Sequence, residues 1–183
     1  HDQTRRQRQM CIRDRSEPDD DATANETSQM RSVVGSESWV VRSCRPEHLY
    51  EVSSLQQSMN KAKVSDLIEA NNVIAELQKD PKRGLTFKPG LDWNTSIMCV
   101  IGDSSFGNED EFIDEWQEFE SHPSQGGKIL ALSEPQLADA EPGLFHVLSF
   151  GSTVVQRVCR STVQAEAYKL DLCVEEADLL RAA

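Results

Sequence analysis

Asp103 lies at the end of an apolar run, and this position makes it the strongest candidate in the chain for a catalytic or binding role. The run Ile97-Met98-Cys99-Val100-Ile101 contains β-branched residues and ends in turn-forming residues at 104–108. This pattern predicts a buried strand that stops at the edge of a site. A carboxylate is costly in such a place unless a cation compensates it. The alternative, that Asp103 only caps a turn through its side chain, stays open on this segment alone.

Glu166 is the second carboxylate that could belong to the same site. Ser161 and Gln164 form a capping-box pattern at the start of a long helix. The predicted apolar stripe of that helix consists of Val163, Ala167, Leu170, Val174 and Ala177. At about 100° per residue, Glu166 falls on the rim of the stripe and is expected to face the sheet. Two converging carboxylates can bind divalent cations for phosphoryl transfer. The alternative is a first-turn acid that complements the helix dipole.

The elements that must position these acids predict a mixed α/β (α+β) fold. Apolar periodicity predicts two paired helices over 46–59 and 65–79, with Ser65 as the cap of the second. The Asp103 strand, further strands over 128–133 and 144–150, and short connections predict a three-stranded antiparallel meander. A helix over 162–181 follows it. The Pro89-Gly90 pair marks the expected boundary between a helical region, 39–90, and a second region, 91–183.

The N-terminal segment, residues 1–38, is expected to be disordered or foreign to the fold. Residues 1–15 contain five arginines and two aspartates, a net charge of +3, which leaves −15 for residues 16–183. A basic arm that binds nucleic acid is one interpretation, and a foreign segment is the favoured one. Residues 16–38 are rich in Ser, Thr, Asp and Glu, which is typical of a solvated linker.

The composition limits the classes of partner and the compartment. A net charge of −12 argues against a general polyanion binder, because such proteins neutralise phosphates with clustered Lys and Arg. Five widely spaced cysteines without a CxxC pair indicate reduced thiols. No apolar run reaches the roughly 18 residues of a membrane span. We therefore expect an intracellular protein, cytoplasmic or nuclear, that has no contact with membranes.

An acidic segment over 109–120 predicts a short amphipathic helix. Its aromatic residues Phe112, Trp116 and Phe119 have helical spacing, and acids occupy the other positions. A metal site is one interpretation. Acids distributed around a helix without His are more often a solvated face, which is the interpretation we favour.

The order of these motifs resembles copia-type retrotransposon Pol polyproteins, over the end of the reverse transcriptase region and the N-terminal part of the ribonuclease H domain. The resemblance covers about 150 residues. The matching motifs are Gly35-Ser36, Arg45-Pro46, 52–56, 84–87, 103–106, 125–127 and 157–166. By resemblance, Asp103 and Glu166 are catalytic and metal-binding residues of a two-Mg²⁺ site that hydrolyses the RNA strand of RNA–DNA hybrids. Arg157 and Arg160 would contact its phosphates, or they are simply exposed arginines.

The chain also departs from that family. Ser105 occupies the position where the family usually has a second acid, and Phe150 the position where it usually has a Trp. The acidic insertion between the first two strands, which contains residues 109–120, is longer than the usual family pattern. The sequence stops at Ala183, before the strand expected to supply a third carboxylate. We therefore predict a fragment of a Pol polyprotein that acts with the rest of that polyprotein and is inactive as it stands. The alternative is a non-catalytic module with a degenerate ribonuclease H-like fold that binds a protein partner through its acidic surface.

Overall fold

The computed structural model describes residues 17–105, 124–155, 159 and 161–182 and divides into two compact units. The first unit ends at Gly84 and contains helices α1 (Ala24–Cys44), α2 (Leu49–Ser58) and α3 (Val64–Lys79). The second unit begins at Leu85 and contains strands β1 (Ile97–Ser104), β2 (Ser124–Ser133) and β3 (Phe145–Val155), followed by helix α4 (Thr162–Ala182). Short 3₁₀ turns, Pro46–His48, Met59–Lys61 and Pro135–Asp139, lie in the connections. The predicted mixture of helices with a three-stranded antiparallel sheet is confirmed.

Helix α1 shows that the prediction of disorder up to residue 38 was wrong for the described part of that segment. Thr23 caps the helix: its hydroxyl accepts from the Glu26 N–H, and the Glu26 carboxylate accepts from the Thr23 N–H at 2.8 Å. Met30, Val34 and Val41 are fully buried. Three apolar residues on one face are enough to pack α1 into the unit, because α2 and α3 supply the rest of the core. Tertiary packing therefore outweighs the polar local composition of this segment. Residues 1–16 lie outside the described residues.

The segment before α1 is also held by backbone hydrogen bonds. The Ala22 N–H donates to the Ala62 carbonyl at 2.8 Å, and the Val64 N–H donates to the Asp20 carbonyl at 2.9 Å. These bonds tie the chain before α1 to the turn before α3. The ordered part of the first unit therefore begins well before Trp39, where the sequence predicted it.

The predicted apolar faces of α2 and α3 are confirmed. Val52 and Leu55 of α2 and Leu67 and Ala70 of α3 are buried in one core with the apolar residues of α1. The start of α3 differs from the prediction. The Asp66 carboxylate, not Ser65, accepts the Lys63 N–H at 2.8 Å and caps the helix.

The sheet has the order β1-β2-β3, with both pairs antiparallel. In the β1–β2 ladder, Asp103 lies opposite Gly127 and Gly102 lies opposite Lys128. The β2–β3 ladder shifts register between Leu130 and Ala131, whose partners are Ser149 and Val147. Leu148 therefore has no partner, which makes it the extra residue of a bulge on β3.

Helix α4 packs on the sheet through a different face from the predicted one. The buried residues are Ala165, Lys169, Cys173 and Ala177, which recur every four residues. Of the predicted stripe, Val163 is 73% exposed, Leu170 47% and Val174 45%, and Ala177 alone is buried. The helix is rotated so that its small residues face the strands.

Glu37 of α1 is a buried carboxylate inside the helical unit. It is 4% exposed, and neither of its carboxylate oxygens has a hydrogen-bond partner within the described residues. Burial, reinforced by the negative charge of Glu69, raises the pKa of Glu37 from 4.5 to about 7. The folded unit therefore favours the protonated carboxyl.

This burial predicts that the first unit is less stable at pH 8 than at pH 5. Between pH 4.5 and about 7 the unfolded chain ionises Glu37 while the folded unit keeps it protonated, so stability falls as the pH rises. Relative to Glu37→Gln, the native protein should lose roughly 3 kcal/mol across this range. Hydrogen exchange of α1 amides, compared between the two proteins at each pH, measures the difference.

Glu17→Gln, a change at an exposed carboxylate of the first unit, serves as the control. It should leave the pH dependence of α1 exchange unchanged relative to the native protein. A pH-independent difference between native protein and Glu37→Gln would contradict the assignment to Glu37.

Candidate functional site

Asp103 lies near the end of β1, on the sheet face opposite α4. A Cβ atom built on Gly102 would lie 3.2 Å from the Cys173 Sγ of α4, so position 102 faces the helix. Successive residues of a strand alternate between faces, which directs Asp103 to the other side. Its side chain is exposed, and its Oδ1 accepts from the Ser104 N–H at 2.8 Å. The Asp103 carboxylate thus accepts a hydrogen bond from the next residue of its own strand.

Glu166 lies in the first turns of α4 and is exposed. Its helix covers the sheet face that carries Gly102, whereas Asp103 belongs to the other face. The convergence of Asp103 and Glu166 therefore stays a prediction. Strand alternation does not favour it, because a shift of one residue along β1 reverses the face on which a side chain lies.

Nothing among the described residues supports the two-Mg²⁺ site that the family resemblance implies. Within the described ranges, no group of three or more His, Cys, Asp or Glu side chains could hold a metal ion. The sheet also separates the two acids that the sequence assigned to that site. The phosphate-contacting candidates Arg157 and Arg160, and the acidic segment 109–120, lie outside the described residues.

The polar groups that the structure does bring together lie between α4 and the sheet. Lys128 of β2 forms an ion pair with Glu176 of α4, and the Ser149 hydroxyl of β3 donates to the same carboxylate at 2.6 Å. Burial acts to raise the pKa of Glu176, but the hydrogen bonds from Lys128 and Ser149 outweigh it and hold the pKa below its ordinary value. This carboxylate links the helix to two strands.

Lys169 is the most deeply buried cation of this cluster, at 3% exposure. Its stem passes over Gly126, where an added Cβ would lie 2.7 Å from the Lys169 Cδ. Its ammonium donates to the Thr153 hydroxyl of β3 at 3.1 Å. Burial lowers the pKa of Lys169, because removal from water penalises the charged form.

Cys173 lies one turn after Lys169 and is fully buried. Burial raises the pKa of the Cys173 thiol, which keeps it protonated and makes it a weak nucleophile. The cluster of Lys128, Lys169, Cys173 and Glu176 therefore serves to anchor α4 on the sheet, and its groups are not arranged as a nucleophile with its base.

Sequence reasoning missed this cluster, although one signal was available. Ala165, Cys173 and Ala177 are small and share a four-residue spacing with Lys169. Gly102 and Gly126 supply matching small positions on β1 and β2. Small residues on a helix and on the strands beneath it indicate a close approach of the two backbones.

The rotation of α4 exposes large apolar side chains on its other sides. Val163, Leu170, Leu172, Val174 and Leu179, called here the outer surface of α4, are between 45% and 73% exposed. At about 100° per residue, Val163, Leu170 and Val174 lie on one side of the buried face, and Leu172 and Leu179 lie on its other side. Exposed apolar side chains of this size on one helix are typical of an interaction surface. Five such residues on one helix make it the strongest candidate for a binding region among the described residues.

No family model matches the sequence, and no curated protein or solved structure is similar to it. None of the described helices is long and apolar enough to cross a membrane. The candidate site therefore stands on its geometry alone.

The cluster predicts that Glu176→Gln weakens the second unit. Loss of the negative charge leaves Lys128 and Lys169 without their carboxylate, which should cost about 1–3 kcal/mol at pH 7. Because the folded pKa of Glu176 is lowered, its contribution is present above the ordinary carboxyl pKa and is lost as the pH falls. Hydrogen exchange of β2 and α4 amides should show a large difference from the native protein at pH 7 and a smaller one at low pH.

Glu175→Gln is the matched control, because Glu175 is the neighbouring exposed carboxylate on the same helix. It should change exchange in β2 by far less than Glu176→Gln. Equal effects of the two variants would contradict a specific anchoring role for Glu176.

Proposed function

We propose that the unit formed by β1–β3 and α4 is a non-catalytic protein-interaction module with a degenerate ribonuclease H-like fold. The outer surface of α4 carries this proposal, because a helix that packs on a sheet normally buries its large apolar residues. Here small residues are buried and large ones face solvent. Binding a partner would remove that apolar surface from water, which stabilises a complex by about 25 cal/mol per Å² of apolar area buried.

The placement of the two acids favours this function over hybrid cleavage. In-line phosphoryl transfer by two metal ions requires carboxylates that share those ions. Asp103 and Glu166 lie on opposite sides of the sheet, which does not support a shared ion. The net charge of −12 also disfavours binding to a phosphate backbone. The relation to copia-type Pol polyproteins, and nuclease activity in a longer parent, stay predictions from sequence resemblance.

The first test is a hybrid-cleavage assay in magnesium with the purified chain. We expect no cleavage of an RNA–DNA hybrid above the level of Asp103→Asn, because the acids do not form a common site. Glu166→Gln, assayed in parallel, should also match the native chain. Cleavage by the native chain that disappears in both variants would overturn the proposal.

The second test selects partners from a random peptide library displayed on phage, with the full chain as bait. Selected peptides should bind the triple variant Leu170→Ser/Val174→Ser/Leu179→Ser at least about tenfold more weakly, which corresponds to 1.4 kcal/mol. Trp39→Ser is the control, since Trp39 is 74% exposed but belongs to the first unit. Peptides that bind the triple variant and the native chain equally would contradict a role for the outer surface of α4.

A further inference from the structure

The buried carboxyl of Glu37 lies inside an apolar interface of the first unit. Val34 and Val41, about one turn before and after it on α1, are fully buried. On α3, Glu69 carries the charge that acts on Glu37, and its neighbour Ala70 is fully buried. The Val and Ala side chains belong to one core cluster. An ionised carboxylate in this place would have apolar neighbours and a second negative charge, which is costly.

No cation of the described helices compensates Glu37. The three helices α1–α3 contain three basic residues. Arg31 is exposed, Arg42 donates to a glutamine of α2 at 3.2 Å, and Lys79 forms an ion pair with Glu76. None of them reaches the Glu37 oxygens, which are buried and accept no hydrogen bond in the described part of the chain. The carboxylate can therefore be solvated only if water enters the interface.

The acids of the same helices do not help to hold a negative charge on Glu37. Glu26 and Asp66 accept hydrogen bonds at the starts of their own helices. Glu51 is the single charged residue of α2. Glu69 of α3 faces Glu37 and repels its ionised form. The protonated carboxyl is thus the form that fits the packed interface.

The two ends of α1 are held to the two ends of α3 by bonds that do not titrate near neutral pH. Before the helices begin, the Val64 N–H donates to the Asp20 carbonyl at 2.9 Å. After they end, Arg45 Nη1 donates to the Asp80 carbonyl at 3.0 Å. Arginine stays charged and backbone groups do not ionise in this range. Ionisation of Glu37 therefore acts on the middle of the interface and leaves both tied ends in place.

We propose that the packing of the middle of α1 on α3 is a pH-sensitive switch, closed while Glu37 is protonated and open when Glu37 is ionised. The open form admits water to the carboxylate and exposes Val34, Val41 and Ala70. The closed form keeps its proton up to about pH 7, whereas the open form releases it from pH 4.5, so a rising pH favours the open form. This inference concerns the first unit and does not rest on the proposed function. It goes beyond a general loss of stability, because it specifies which part of the unit opens.

Two matched probes test where the unit opens. Ala70→Cys places a thiol in the middle of the interface, and Ala62→Cys places one at a tied end, where the Ala62 carbonyl accepts from the Ala22 N–H at 2.8 Å. Both positions are buried. Alkylation of each thiol is followed by mass spectrometry, and its rate is divided by that of the same protein unfolded in denaturant at the same pH. This ratio removes the pH dependence of the thiol itself.

The thiol introduced by Ala70→Cys should become more accessible as the pH rises, and the one introduced by Ala62→Cys should not. Relative to the same probe combined with Glu37→Gln, labelling at position 70 should increase roughly 70-fold between pH 5 and pH 8. This figure follows from a Glu37 pKa of 4.5 in the open form and about 7 in the closed one.

Met30 gives a second measurement that needs no introduced cysteine. Its side chain is fully buried on α1, and its thioether does not titrate. Oxidation of Met30 by hydrogen peroxide should accelerate from pH 5 to pH 8 in the native protein and much less in Glu37→Gln. Met98, which is partly exposed in the second unit, is the internal reference and should show no such acceleration.

Glu69→Gln tests the part played by the charge on α3. Removal of this negative charge lowers the pKa of Glu37 toward its ordinary value, because Glu69 contributes to raising it. The pH-dependent rise in labelling at position 70 should therefore be smaller and end at a lower pH. A rise identical to that of the native protein would contradict the role of Glu69.

Three outcomes would overturn the switch. Equal rises at positions 62 and 70 would show that the unit unfolds as a whole. A rise that persists with Glu37→Gln would assign the pH dependence to another group. No rise at position 70 together with pH-independent oxidation of Met30 would show that the interface stays closed. None of these results bears on the outer surface of α4, so the proposed function is tested separately.

Discussion

The second unit depends on the close approach of α4 to β1 and β2 over two glycines. Gly126 leaves room for the stem of Lys169, and Gly102 leaves room for Cys173. Any side chain at Gly126 would meet Lys169 at 2.7 Å, a distance that requires the helix or the lysine to move. A helix can come this near only with small residues toward the sheet, which explains why Ala165, Cys173 and Ala177 face inward. The large apolar residues of the helix are left outside as a direct consequence.

The same packing determines which acidic side chains lie between α4 and the sheet. Because position 102 faces α4, the side chain of Asp103 leaves β1 on the face away from this helix. The carboxylate that contacts the sheet is Glu176, nearly three turns further along the helix, where Lys128 and Ser149 compensate its charge. The charged groups between helix and sheet therefore contribute to the stability of the interface, at the cost of withdrawing them from water. This arrangement supports the interpretation of the unit as a binding module.

The first unit uses its buried polar groups differently. Arg45 is buried at the end of α1, where its Nε contacts the Glu47 carboxylate at 2.6 Å and its Nη1 donates to the Asp80 carbonyl at 3.0 Å. Its charge is thus satisfied, and it joins the ends of α1 and α3. Glu37 has no such partner and remains protonated near neutral pH instead. One unit therefore contains a buried cation whose charge is compensated and a buried carboxyl whose pKa is raised to about 7.

The amino-acid sequence determined the elements of this protein. Periodicity located the helices near 46–59, 65–79 and 162–181, and the apolar runs located the strands, because these signals are local and depend on 3.6- and 2-residue repeats. Only tertiary structure decided that residues 24–38 join α1, since its few apolar residues are buried by partners distant in the chain. It also decided which face of α4 packs: hydrophobicity favoured Val163, Leu170 and Val174, whereas the fit of small residues over Gly102 and Gly126 selected Ala165, Lys169 and Cys173. The sides on which Asp103 and Glu166 lie follow from that choice, because strand alternation and helix rotation are defined only relative to the element packed against them.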